Sequence, residues 1–186
     1  MTALATNRWP WLLLVLALVA VWAIVYNSPK RKIGRLVSRL ATMVEKPTDE
    51  SLLGAARKAS NLKEILADSI LLSAEPFRLA SVSFSREDFV SQAFAARAEA
   101  TGIGLAITDP VIRLDEPSAD FPQILGLPEG ARVASASFEA TLDVDSPHWS
   151  VANEQFRVRL RFVRVDGKWL LGELAFAPLD PNTPAL

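Results

Sequence analysis

The chain has 186 residues, of which 50% are hydrophobic, 22% charged and 8% aromatic. This suits one ordinary domain and excludes a chain that is disordered throughout. Twenty basic residues against 21 acidic ones leave a net charge of −1, and no cysteine is present. Nucleic-acid binding by bulk charge, disulfides, thiolate metal sites and a cysteine nucleophile are thereby excluded.

No charge interrupts the chain between Arg8 and Lys30, and residues 9–26 are almost wholly apolar. That length matches a bilayer-crossing helix. Ten of these residues are Leu, Val or Ile, which together favour insertion by about 3–6 kcal/mol. Trp9 and Trp11 mark one end of the run, and Trp22 and Tyr26 mark the other. Aromatic rings with a polar tip prefer the two water–lipid boundaries. A cleaved signal peptide is the alternative, since Val21 and Ala23 satisfy the small-residue rule. The apolar run continues through Ile24 and Val25, which favours a retained helix. Lys30, Arg31, Lys32, Arg35 and Arg39 follow the span closely. By the positive-inside rule they place the following domain in the cytoplasm. The same residues are also readable as a solvated helix face, or as partners of lipid phosphates just beyond the span.

Ser28-Pro29 reads as a helix start, with serine as N-cap and proline at N1. Ile33, Leu36, Val37, Leu40, Met43 and Val44 recur at helical offsets and form one face. After a polar link, Thr48 caps a second expected helix that ends at Asp68-Ser69, with Leu52, Ala56, Ala59, Leu62, Ile65 and Leu66 on its buried side. Short strands are expected at Ile70–Leu72 and Leu79–Phe84, on either side of Pro76. Ser85-Arg86-Glu87-Asp88 resembles a capping box that opens a third helix, and Gly102 is its expected stop.

The rest is strand-like. Ile103–Ile107 and Val111–Leu114 are interrupted by Asp109-Pro110, which implies an edge, a bulge or a bend. Residues 116–130 read as a loop rich in proline and glycine. Val133–Val144 alternates, with Ala134, Ala136, Phe138, Ala140 and Leu142 on one face. In the next strand Phe156, Val158, Leu160 and Phe162 alternate with Arg157, Arg159 and Arg161. Asp166-Gly167 is a two-residue hairpin signal, because it tolerates the positive φ of a type I′ turn. Trp169–Ala177 then pairs back.

Helices followed by an antiparallel meander predict an α+β fold. Three helices cover one face of a strongly curved, mainly antiparallel sheet, behind the transmembrane helix. The expected divisions are a tail and span over 1–27, an amphipathic helix and linker over 28–47, the α+β domain over 48–179, and a tail over 180–186.

The order of elements resembles the nuclear-transport-factor-2-like (NTF2-like) superfamily, a cone of helices on a bent sheet. The resemblance runs from about Arg31 to Leu179. Leu62–Ile70 looks like a helix end entering the first strand, Ser85–Phe89 like the family's helix start, and Phe156–Phe162 with Val165–Leu171 like its final hairpin. The superfamily includes enzymes, binding modules and assembly subunits, so the resemblance implies a shape more than an activity. Several relatives hang from one amino-terminal helix in a bacterial inner membrane, with the domain on the periplasmic side. That layout opposes the charge rule, and the side stays open with a slight lean to the periplasmic, extracytoplasmic one.

Chemistry is sparse. Ketosteroid-isomerase-like relatives use a tyrosine as oxyanion donor, but the only tyrosine is Tyr26, in the span. Dehydratase-like relatives pair histidine with aspartate, and the only histidine is His148, in a predicted loop. It provides no paired-histidine metal site. Asp109, Asp115, Glu116, Asp120, Asp143 and Asp145 lie at expected strand ends or in loops. No metal and no cofactor is expected.

The most specific surface feature is the row Arg157, Arg159 and Arg161, spaced about 6.6–6.8 Å apart along one face of a strand. Glu173, Glu139 and Asp143 are its candidate partners on neighbouring strands. One reading is an exposed face paired across strands. The other is a contact surface for an acidic partner or a second copy. The expectation is a single-pass membrane module that binds a protein partner or forms a homodimer without catalysis, with Trp9, Trp11, Trp22, Tyr26, Lys30, Arg31 and Lys32 at the membrane interface. The alternative is a carrier of small hydrophobic molecules, or an isomerase- or dehydratase-type enzyme, with Phe138, Phe156 and Phe162 lining the cone.

Overall fold

The computed structural model describes residues 28–74, 79–114, 121, 125–126, 131–147 and 150–179. The predicted span with Trp9, Trp11, Trp22 and Tyr26 lies outside them, as do Pro76, Asp115, Glu116, Asp120, His148 and the 180–186 tail. Among the described residues no helix is long and apolar enough to cross a membrane.

Helix α1 spans Pro29–Val44 and starts where the sequence puts it. Ser28 is extended (φ −57°, ψ 139°), its Oγ accepts a hydrogen bond from Arg31 N at 3.4 Å, and Pro29 begins the first turn. Ile33 and Val37 are fully enclosed, at 0% and 1% exposure. Helix α2 spans Leu52–Ile65, and strand β1 spans Leu66–Ala74. Both ends of α2 differ from the sequence reading. Ser51, not Thr48, is the cap, accepting from Gly54 N at 3.1 Å. The chain passes into β1 at Leu66 without a loop, rather than continuing helically to Asp68-Ser69. An extended chain here buries both of its sides. Leu66 and Ile70 enter the core beneath the helices, and Ala67 and Leu71 enter a second core on the far side of the sheet. A helix would leave one of these pairs in water.

Strand β2 (Leu79–Ser85) leads into α3 (Arg86–Glu99). The serine half of the capping box forms: Ser85 Oγ accepts from Asp88 N at 3.1 Å, and its hydroxyl donates to Asp88 Oδ2 at 2.6 Å. Gly102 is not the stop of this helix. Ala100 turns extended and Gly102 opens β3 (Gly102–Ile107), opposite Asp145. The helix needs no left-handed glycine, because the Lys46 ammonium takes its last carbonyls, Arg97 O at 3.0 Å and Ala100 O at 2.5 Å.

Strands β4 (Val111–Leu114), β5 (Val133–Asp145), β6 (Ser150–Val165) and β7 (Lys168–Pro178) complete the sheet. Its order is β2-β1-β7-β6-β5-β3, with β4 also on β5. Asp109-Pro110 splits one edge into β3 and β4, which pair with successive stretches of β5. Only the β1–β7 pairing is parallel among the described strands. The β6–β7 hairpin turns at Asp166 and Gly167, with φ of 47° and 80°. The sheet is curved, and α1, α2 and α3 pack on its inner face.

Candidate functional site: the outer face of the sheet

The turn at Asp166-Gly167 fixes which residues of β6 face out. Counting back from Val165 opposite Lys168, Leu160 lies opposite Leu174 and Arg161 opposite Glu173. On β5 the partners of Arg157, Arg159 and Arg161 are Glu139, Ser137 and Ser135. Side chains alternate along a strand, so the arginine row shares the outer face with these residues. The inner face carries Ala134, Ala136, Phe138 and Ala140 against Phe162, Leu160, Val158 and Phe156.

Small side chains flatten the outer face. Ser135 and Ser137 flank the arginines on β5, and Ala175 and Ala177 flank Arg159 and Arg157 on β7. The sequence reading missed a fourth cation. Arg113 on β4 sits opposite Ser135, on the same face. The alternation Val111-Ile112-Arg113-Leu114 was visible, but the register that brings it beside Ser135 is a long-range pairing. Among the described residues, Glu139, Glu173 and Asp143 carry carboxylates on this face.

The three predicted arginines differ. Arg161 donates from Nη1 to Glu173 Oε2 at 3.0 Å, and its guanidinium lies 5.2 Å from the centre of the Phe121 ring. It therefore ties β6, β7 and Phe121 together. Arg159 stands between Ser137 and Ala175. Arg157 stands opposite Glu139, yet no described residue reaches its guanidinium at ion-pair distance. The third candidate partner, Asp143, is used elsewhere, since its Oδ1 accepts from Asn153 N at 2.7 Å.

One end of this face is covered. Phe121, 2% exposed, packs with Ala67, Leu71, Val133 and Val163, and Leu125 lies alongside. Beneath them β7 has an extra residue, Gly172, between the pairs Arg161–Glu173 and Phe162–Leu171. A Cβ there would stand 2.5 Å from Leu125 Cδ1 and 3.2 Å from Phe121 Cζ. Glycine lets the two side chains close on the backbone.

The candidate lining residues lie on the inner side. Phe162 is fully enclosed in the main core. Phe138 and Phe156 are half-buried, and Phe156 meets Phe176 edge-on at 6.1 Å. Lys30, Arg31 and Lys32 are exposed on α1.

The most enclosed ionised groups among the described residues lie away from both sheet faces. Arg97 of α3 forms a two-pronged pair with Glu50, with Nη2 to Oε1 at 2.9 Å, and Lys58 Nζ reaches the same carboxylate at 2.9 Å. The Arg97 guanidinium holds the Glu50 carboxyl at about 2, below its ordinary 4.5, although burial opposes the shift. Among the described residues no cluster of three His, Cys, Asp or Glu side chains is placed to hold a metal ion.

The sequence matches no protein-family model and no curated protein. The fold matches solved structures of NTF2-like, cystatin-like proteins. An NTF2-like protein with a cystatin-like fold from Novosphingobium aromaticivorans superposes with a TM-score of 0.55 at 14% identity, over 89% of this chain and 90% of that one. A candidate calcium/calmodulin-dependent protein kinase II association domain from Xanthomonas campestris superposes with a TM-score of 0.53 at 14% identity, over 84% and 91%. A candidate dehydratase of the NTF2-like family from Streptomyces avermitilis superposes with a TM-score of 0.51 at 10% identity, over 80% and 94%. At these identities the likeness concerns the fold.

Proposed function

We propose that the chain is a membrane-tethered binding module without catalysis, whose outer sheet face receives an acidic segment of a protein partner. The observation that carries this reading is the composition of that face. Arg113, Arg157, Arg159 and Arg161 share it with Glu139 and Glu173, on a surface levelled by Ser135, Ser137, Ala175 and Ala177. Among the described residues its four arginines outnumber the carboxylates Glu139, Glu173 and Asp143, so the face complements an acidic partner and repels a second copy of itself. The tether is residues 9–26, read from their length and hydrophobicity. The solved relatives carry names of both kinds, a dehydratase and an association domain, and the fold suits either. The inner sheet face favours the second kind, since its central positions on β5 and β6 are alanine, valine, leucine and phenylalanine.

The test is co-purification of the full chain after mild detergent extraction, compared with the R157E/R159E variant. Capture of an acidic partner that the variant loses supports the reading. An identical set of partners for both proteins overturns it, as does a homodimer that occupies this face. The second reading, a carrier of small hydrophobic molecules, draws on the half-buried Phe138, Phe156 and Phe176. Displacement of a bound apolar dye by a hydrophobic ligand would favour it.

A further inference from the structure

We infer that α1 lies flat on an anionic bilayer, with its cationic side against the lipid headgroups, and so turns the arginine-bearing sheet face away from the membrane. This placement rests on the proposed tether. Three observations carry it. First, α1 cannot simply continue the predicted span. Ser28 is extended, Pro29 occupies the first turn, and only Asn27 and Ser28 separate Tyr26 from the helix. Proline disfavours helical backbone in the residue before it and has no N–H to bond back into a preceding turn. The chain therefore changes direction where it leaves the lipid, at the level of the headgroups.

Second, the two sides of α1 have different partners. Ile33, Val37 and Met43 are buried in the domain. Arg31, Lys32, Arg35, Ser38, Arg39 and Thr42 are exposed and, at 100° per residue, fall within about 120° of arc opposite the buried side. The helix contains no acidic residue. The cations run from Arg31 to Arg39, about 12 Å along the axis, so they form a positive strip over the first two-thirds of the helix. Third, α1 packs on the inner side of the sheet, against β3, β4 and β5. A membrane on its cationic side leaves the outer face, with Arg157 and Arg159, directed to the aqueous space.

Anionic phospholipid is the occupant that fits. It is continuous with the predicted span, opposite in charge, and broad enough to meet the whole strip. Basic residues next to a span gain from anionic lipid only within about one Debye length of the surface. An in-plane helix keeps all of them there, whereas a helix standing upright lifts Arg39 about 15 Å from the helix start, beyond that length.

The chain has no cysteine of its own, so a single probe can be placed. The full chain carrying Ser38→Cys on α1, or Ser137→Cys on the outer sheet face, is labelled with a fluorophore. It is reconstituted into nanodiscs of phosphatidylglycerol with phosphatidylcholine, or of phosphatidylcholine alone, that carry a headgroup quencher. The Ser38 label is expected to be quenched in anionic discs and not in neutral ones. The quenching is lost in about 1 M salt, where the Debye length is about 3 Å, and in the R31E/K32E/R39E variant, whose fold is checked by circular dichroism. The Ser137 label stays unquenched throughout. Co-elution with discs while the Ser38 label stays unquenched, or is quenched equally in neutral discs, overturns the placement alone. Failure to co-elute overturns the tether, and the placement with it.

Discussion

The carboxylate of Glu50 and the guanidinium of Arg97 lie 47 residues apart in the chain and meet as a two-pronged ion pair, with side chains only 5% and 7% exposed. Arg97 Nη2 also donates to Glu45 O, and Lys58 adds a second cation to Glu50. The cluster joins the α1–α2 link, α2 and α3 on the helical side of the domain. It leaves one cost unrecovered, since Arg97 Nε is buried with no hydrogen-bond partner among the described residues.

This pair gives the domain a defined acid response. The Glu50 carboxyl titrates at about 2 in the fold against an ordinary 4.5. A depressed carboxyl contributes stability that is complete above the ordinary value and is lost as pH falls towards the folded value. Stability in urea should therefore drop between about pH 4.5 and pH 2, and E50Q should flatten the curve in that window. R97A should cost no more than about 3 kcal/mol, the low end for breaking a buried pair, because Lys58 still faces the carboxylate. An unchanged acid profile in E50Q would remove the pair from the account.

Arg157 and Arg161 should separate binding from stability. Arg161 holds Glu173 and stacks over Phe121, so R161A should lower unfolding stability by about 1–2 kcal/mol. R157A should change it by less than about 0.5 kcal/mol, since no described residue engages its guanidinium. Both should weaken partner capture. Chemical denaturation beside the co-purification assay checks this, and a strong loss of stability in R157A would contradict it.

Gly172 should tolerate no side chain without movement. G172A should push Leu125 and Phe121 off β7 and destabilise the domain by about 1 kcal/mol, the low end for an overpacked site whose nearest neighbour is a flexible leucine end. G172V should cost more. Tryptophan fluorescence during thermal unfolding reads both, and a neutral G172V would show that Phe121 and Leu125 do not close on the sheet.

Ser85 should matter locally. Its side chain accepts from Asp88 N and contacts the Asp88 carboxylate, so S85A should cost about 1 kcal/mol. S85D should recover most of that loss. Equal stability of the wild type and S85A in urea would contradict the cap.

Local chemistry was legible in the sequence alone. Ser28-Pro29, the Ser85 box, the Asp166-Gly167 turn and the alternation of Arg157, Arg159 and Arg161 each act within a few residues, and each stands where the sequence placed it. Their causes are short-range: one side-chain oxygen, one dihedral angle, or the two-residue repeat of a strand. Leu66 misled because its helical spacing and its strand burial coincide, and only a second core beyond the sheet decides between them.

Other relationships needed the folded chain. Arg97 looks like a polar residue on an alanine-rich helix until Glu50 arrives from another element, and Phe121 looks like a loop residue until Gly172 admits it to the sheet. Arg113 joins the arginine face only through the β4–β5 register. Contacts between distant segments leave no period in the sequence. They are selected by burial and register once the whole sheet has closed, which is why they were decided by tertiary structure alone.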